Sequence, residues 1–256
     1  MPRRESTKDA RLTTPTHLPE IALDHVTFGR EGRVILEDIS VSFCARRVGI
    51  VGRNGSGKTT LSRVIAGLAL PEKGRVSVAG IDPARDRKGA LSTVGILFQN
   101  PDHQIIFPTV IEEISFGLKQ MGHDHLDAEK EALTWLTDYG VAHWAEASVA
   151  RLSQGQKQLV CLISVLAMQP KVLLLDEPFS GLDLPTRAQL SRRLARYQGT
   201  LVHVTHAPED LAGYDHVVWL DQGRVAGSGA SADVLAAFVG EMTKKGEGND
   251  LTDLSD

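Results

Sequence analysis

Residues 52–59 read Gly-Arg-Asn-Gly-Ser-Gly-Lys-Thr, directly after the apolar run Val48–Val51 and at the start of a helical pattern over Gly57–Leu68. GxxxxGK[ST] between a strand and a helix is a phosphate loop. Glycines at 52, 55 and 57 let the backbone turn so that successive N–H groups face inward around an anion. The helix N-terminus adds partial positive charge at the same point. The segment Gly52, Arg53, Asn54, Gly55, Ser56, Gly57, Lys58, Thr59 and Thr60 is therefore expected to hold nucleotide phosphates. Lys58 reaches the β- and γ-phosphates as a point charge, and the Thr59 hydroxyl can ligate Mg²⁺. A loop of this kind needs a strand feeding it and a helix leaving it, which directs the chain toward an α/β class.

The rest of the sequence agrees. Ile21–Phe28 and Val34–Ser40 alternate like strands of a partly exposed sheet. Further strands are expected at Arg75–Ala79, Val94–Phe98, Val172–Asp176, Leu201–Thr205 and Val217–Leu220, with helices over Leu184–Tyr197 and Ala232–Val239. Apolar strands followed by helices specify a parallel sheet covered on both faces. From Pro108 to Met168 the rhythm changes to helices alone. Thr109 with Glu112 is a capping-box start, and Asp127–Leu136 and Gln154–Met168 also have helical patterns. An α/β core interrupted by a helical insertion follows. Residues 1–20 and 243–256 are polar, lack either period, and are expected to be flexible tails.

Composition excludes several classes. Apolar residues at 42% and charged residues at 23% suffice for a core and a wet surface. Against 28 Lys and Arg stand 32 Asp and Glu, a net charge of −4, so no nucleic-acid footprint covers the whole chain. The apolar run Leu159–Met168 is half a bilayer span, and the basic N-terminus lacks an apolar signal segment. Cys44 and Cys161, both in apolar surroundings, read as reduced, buried thiols. A soluble cytoplasmic chain is the expectation.

Lys171–Pro178 is an apolar strand ending in two carboxylates. Asp176 at the strand end can hold Mg²⁺ through water, and Glu177 beside it can polarise an attacking water as general base. His206, after the strand Leu201–Thr205, could bridge the γ-phosphate and that base. Gln99, after Val94–Phe98, could ligate Mg²⁺ or hold water. Alone, neither His206 nor Gln99 is informative; a strand-end histidine is more often a surface or core residue.

Arg151-Leu152-Ser153-Gln154-Gly155-Gln156-Lys157-Gln158 resembles the signature motif of ATP-binding-cassette (ABC) ATPases. The chain carries that family's motifs in order: GRNGSGKT, Gln99, LSQGQ, LLLDEP, Ser180-Gly181-Leu182-Asp183 and His206, spanning about Ile21 to Phe238. The resemblance implies one ATPase domain over residues 21–242. Its parts would be a P-loop NTPase core, an N-terminal antiparallel β subdomain and a helical subdomain at about 100–168. It implies ATP and Mg²⁺ as cofactors, with Glu177, His206 and Gln99 catalytic and Thr59, Gln99 and Asp176 around the metal. It also implies a head-to-tail dimer in which Ser153, Gly155 and Gln156 close over ATP held by a second ATPase subunit, with Asp183 at the seam. Ser153 with Gln156 is equally a capping box, and a helix N-terminus with a hydroxyl and a glycine is an anion site. Two positions depart from the family. Gln154 replaces the usual first glycine of LSGGQ, and Arg30 stands where an aromatic residue often stacks on adenine.

The segment Phe98–Val110 with Glu112, Glu113 and Ser115–Leu118 resembles FQNPDxQ…F.TV.EE..FGL of energy-coupling-factor (ECF) importers, which take up vitamins or transition-metal ions. That resemblance implies an integral membrane scaffold and a substrate-binding membrane subunit as partners, and a peripheral position on the cytoplasmic face of the inner membrane. Ile105, Ile106, Phe107 and Phe116 could line the docking groove, or belong to the helical subdomain's own core. Biotin and cobalt or nickel systems rank first on resemblance, and a soluble iron–sulfur-assembly ATPase is the alternative. His123-Asp124-His125 has no further ligands nearby and reads as a solvated loop.

Overall fold

The computed structural model describes residues 18–247, so the tail readings for 1–17 and 248–256 lie outside the described residues. The N-terminal strands β1 (Ile21–Arg30) and β2 (Arg33–Phe43) pair antiparallel. Strand β3 (Arg47–Val51) then enters a second sheet and leads through the phosphate loop into α1 (Lys58–Ile65). β4 (Lys73–Val78) returns to β1, closing an antiparallel sheet in the order β2-β1-β4.

The second sheet has six strands, joined by β5 (Val94–Leu97), β6 (Val172–Asp176), β7 (Thr200–Thr205), β8 (His216–Asp221) and β9 (Arg224–Gly229). Their order is β5-β6-β7-β3-β8-β9, parallel from β5 to β8, with β9 antiparallel at the edge. β6 explains why the interior strands read as continuous apolar runs. Val172 and Leu174 face the core between the two sheets, whereas Leu173 and Leu175 face the core under the helical insertion. A strand buried on both faces has no polar side to show. Because β3, β6 and β7 are neighbours pointing the same way, Gly52, Glu177 and His206 leave the sheet along one edge. In open α/β sheets that edge is where ligands bind.

Between β5 and β6 no strand intervenes among the described residues, as expected for 108–168. α3 (Val110–Gln120), α4 (His125–Asp138) and α5 (Gln154–Ala167) pack Ile114, Leu136, Leu162 and Ile163 into one buried cluster. Both expected capping boxes form. Glu112 accepts from the Thr109 N–H at 3.2 Å, and Gln156 accepts from the Ser153 N–H at 2.8 Å. α6 (Leu184–Ala195) follows the carboxylate strand.

Four features differ from the expectations. α7 (Ser231–Glu247) runs on through residues 243–247, which are helix and not tail. Val234, Leu235, Phe238 and Met242 make an apolar stripe against Val51, Leu211 and Val217, and Lys245 reaches Asp221 at 3.5 Å. α2 (Arg87–Thr93) has no apolar period and starts on the Asp86 carboxylate, which accepts from Gly89 N–H at 2.8 Å. β9 is a glycine-containing edge strand with alternate residues exposed, a weak sequence signal. Cys44 is exposed, with its thiol 3.3 Å from the Leu18 carbonyl; only Cys161 is buried as expected.

One partly buried cation holds the end of α6. The Arg47 guanidinium donates to the carbonyls of Tyr197 at 2.6 Å, Arg46 at 3.0 Å and Gly199 at 3.2 Å. Weaker contacts reach Leu194 and Ala195, both at 3.5 Å. Burial pulls its pKa below the usual arginine value, with Tyr214 and Asp215 opposing. Helix-end carbonyls left without donors are costly, so Arg47→Met should destabilise the chain by about 2–3 kcal/mol. The check is a lower urea midpoint with an unchanged slope.

Candidate active site

The phosphate loop needs its glycines at specific contacts. A Cβ on Gly52 would lie 2.2 Å from the Leu220 carbonyl oxygen, and Gly57 sits at φ 98° with Leu36 2.9 Å from a Cβ position. The loop thereby presses against β8 and β2. Lys58, the first residue of α1, is buried and folds over its own loop. Its Nζ donates to the Gly52 carbonyl at 2.8 Å and the Arg53 carbonyl at 2.9 Å. Burial lowers its pKa, while Glu177 and Asp176 pull it back up. Asn54, Gly55, Gly57, Lys58, Thr59 and Thr60 line a cleft of about 320 Å³ together with Gln99, Glu177 and His206.

The two carboxylates differ in environment. Asp176 is buried at the end of β6 and accepts from the Thr59 hydroxyl at 3.2 Å. Burial raises its pKa, the Thr59 hydrogen bond lowers it, and the Glu177 charge raises it again. Glu177 is only 12% exposed and has left-handed backbone, φ 49°, uncommon for a residue with a side chain. Its N–H donates to the Val204 carbonyl at 2.9 Å, which ties β6 to β7 at the edge of the sheet. Its Oε1 is 2.8 Å from Nδ1 of His206. The sequence separates these two residues widely; adjacency of β6 and β7 brings them together.

An oxygen-ligated divalent cation suits this donor set. The Thr59 hydroxyl and the Asp176 carboxylate are hard oxygen donors at hydrogen-bond distance, and the Gln99 amide shares the cleft. Among the described residues no group of three or more His, Cys, Asp or Glu could hold a metal ion. Such a cation would depend on phosphate oxygens and water for its remaining ligands, the habit of Mg²⁺ at nucleotide sites.

The signature residues lie elsewhere. Ser153, Gly155 and Gln156 line a smaller groove of about 80 Å³ with Trp144, Leu182 and Thr186, and no residue is common to it and the phosphate cleft. A Cβ on Gly155 would stand 2.8 Å from Thr186 Cγ2. Asp183 caps α6, accepting from the Thr186 N–H at 2.9 Å. Hydrogen bonding from the Thr186 side chain, and then from its N–H, pulls the Asp183 pKa down. The signature helix and Asp183 therefore meet through Thr186, a contact no motif spacing signals. Gln154 is exposed at the first turn of α5.

Arg30 does not line the phosphate cleft; it is exposed, with Nε 3.5 Å from Glu31. Ile35 does line it, and sequence reasoning missed it because an isoleucine in an alternating strand carries no chemical signal. The expected docking residues divide. Ile105 packs on the helical core, Ile106 is 70% exposed, and Phe107 meets Phe116 with ring centroids 5.0 Å apart. Buried Glu113 holds that loop by accepting from the N–H groups of Ile106 and Phe107, each at 2.9 Å. In the 123–125 segment, Asp124 caps α4 by accepting from Asp127 N–H at 2.9 Å, and His123 and His125 are exposed as expected.

Comparison with known proteins accords with this geometry. Residues 36–180 match the family model described as ABC transporter. The chain is 49% identical over 222 residues to the biotin transport ATP-binding protein BioM of Rhodobacter capsulatus, covering 87% of this chain and 95% of that protein. It is 35% identical over 238 residues to the energy-coupling factor transporter ATP-binding protein EcfA1 of Lactobacillus delbrueckii subsp. bulgaricus, covering 88% and 83% respectively. The solved structure of cbiO1 from Clostridium perfringens, part of the ABC transporter complex cbiONQ, superposes with a TM-score of 0.70 at 30% identity, covering 84% of this chain and 90% of that one. With its phosphate loop, paired carboxylates and separate signature groove, the chain belongs to the ABC transporter family, as one of its ATP-binding subunits, the ATPases that power transport.

Proposed function

We propose that this chain is the ATP-hydrolysing subunit of an ECF-type importer, with biotin the favoured cargo, acting within one ATPase domain over residues 21–242. The observation that carries the reading is the 49% identity to a biotin transport ATP-binding protein across nearly the whole of that relative. The iron–sulfur-assembly alternative has no comparable support. No helix among the described residues is long and apolar enough to cross a membrane, so translocation would fall to separate membrane subunits. The chain would bind them peripherally at the cytoplasmic face, through the loop carrying exposed Ile106 and the Phe107–Phe116 pair.

In this reading the phosphate loop wraps the phosphates and Lys58 turns from its own carbonyls to the β- and γ-oxygens. Thr59, Asp176 and Gln99 would hold Mg²⁺, which neutralises charge developing on the phosphates. Glu177 orients water in line with the γ-phosphate and takes its proton, while His206 holds that carboxylate and contacts the γ-phosphate. Ser153, Gly155 and Gln156 act on ATP bound to a second copy or a paralogue. That assignment is supported by the separation of their groove from the chain's own cleft.

The test is purification of the tagged chain from detergent-solubilised native membranes with identification of what copurifies. The expected result is an integral membrane scaffold together with a small substrate-binding membrane protein that binds biotin. Recovery of soluble partners alone would overturn the importer reading.

A further inference from the structure

Behind Glu177 and His206 lies a cluster that the reading above leaves unused. Phe179 follows Glu177 by two residues, and Asp210 lies beyond His206 in the short 3-10 turn Pro208–Leu211. Arg187, near the start of α6, reaches both. Its guanidinium carbon stands 5.1 Å from the centroid of the Phe179 ring, and its Nη2 pairs with Oδ1 of Asp210, whose side chain is only 8% exposed. Phe179 also meets the ring of His203 edge-on at 5.4 Å, and His203 Nδ1 lies 3.0 Å from the Tyr214 hydroxyl. Burial, and then the Arg187 charge, push the His203 pKa down to about 3, so this ring is neutral packing and Asp210 is the partner of the cation.

A guanidinium can present its edge to a carboxylate and its face to an aromatic ring at once, which an ammonium cannot. Arg187 lies over the Phe179 ring and pairs with Asp210, and so ties the segment after Glu177 to the segment after His206. The two side chains meet across one 2.8 Å contact from the ends of different strands, with Glu177 in left-handed backbone. Misplacing a reacting group by about 1 Å can cost on the order of a hundredfold in rate.

We propose that Arg187 and Asp210 are positioning residues for the Glu177–His206 pair: their ion pair, stacked on Phe179, sets the spacing of the two strand-end segments so that the Glu177 carboxylate faces the cleft. Arg187 directly follows Thr186, the residue against Gly155, so the same lock links the water-activating pair to the signature groove. The inference rests on the reading of Glu177 and His206 as the groups that act on water.

The test is steady-state ATP turnover by the full chain carrying Arg187→Gln, Asp210→Asn, both together, or Arg187→Lys, with Glu177→Gln as reference. Arg187→Gln and Asp210→Asn should each lower kcat by roughly ten- to a hundredfold, with KM for ATP held within about twofold. The double variant should lose no more than either single one, because the two act as one unit. Arg187→Lys keeps the charge opposite Asp210 without the stacking face, and should recover part of kcat. Asp210→Asn preserves shape and stays informative should Arg187→Gln fold poorly. Unchanged kcat in both single variants, additive losses in the double, or a KM and thermal midpoint that move in proportion to kcat would each overturn the proposal. Retained turnover in Glu177→Gln would instead remove the reading on which it rests.

Discussion

Lys58→Ala is expected to abolish ATP turnover, with a loss on the order of a thousandfold or more, while the fold persists. The size of the effect follows from where the ammonium sits. It is buried, held on the Gly52 and Arg53 carbonyls, and faces Asp176 and Glu177 across the cleft. A cation in a water-poor site acts on phosphate charge much more strongly than one in bulk solvent. Removing a single preorganised charge-stabilising donor typically costs a hundred- to a thousandfold in kcat. In the proposed site this donor would also set the ground-state position of the phosphates, so affinity should fall with rate. Phosphate release measured across ATP concentrations, with circular dichroism as the fold control, is the check. Turnover within tenfold of the parent would remove Lys58 from the machinery.

Glu177→Gln is expected to separate binding from hydrolysis. The amide keeps the shape of the side chain and can still contact His206, now 2.8 Å from Oε1, but it cannot accept a proton from water. Turnover should drop by about a hundred- to ten-thousandfold. ATP binding should survive, because the phosphate loop and Thr59 are untouched. With hydrolysis blocked, the closed state should accumulate, and under the proposed composite site that closed state is a dimer. Analytical ultracentrifugation with saturating ATP and Mg²⁺ should show a dimer that dissipates when nucleotide is removed. A monomer under those conditions would count against a composite site.

Much of this was legible before any fold was known, for a local reason. A phosphate loop is a continuous stretch whose function comes from consecutive backbone N–H groups, so the residues that do the chemistry are neighbours in sequence. Val172–Asp176 was legible to the residue because a strand buried on both faces can only be apolar, and its end is marked by the first charge. The capping boxes at Thr109 and Ser153 were readable because a helix N-terminus is satisfied within one turn. Less was available where packing overrides local pattern. Residues 243–247 read as polar tail, but the apolar stripe ending at Met242 and the Lys245–Asp221 contact carry the helix through them. Cys44 read as buried and is exposed, because β2 ends at Phe43 and the thiol lies in the link to β3, outside either sheet.

The sequence by itself thus specified the α/β class, the phosphate loop, the ends of the carboxylate strand and the identity of the acidic and imidazole groups. Each of these is written in a short window governed by backbone geometry or by burial. The placement of Glu177 against His206, the meeting of Gly155 with Thr186, and the arginine that spans Phe179 and Asp210 arise only in the folded chain. They depend on strand order, β6 beside β7 beside β3, and strand order is set by how the two cores pack on either face of the sheet. No local stretch carries that information, because the energy selecting it is summed over contacts between residues far apart in the chain.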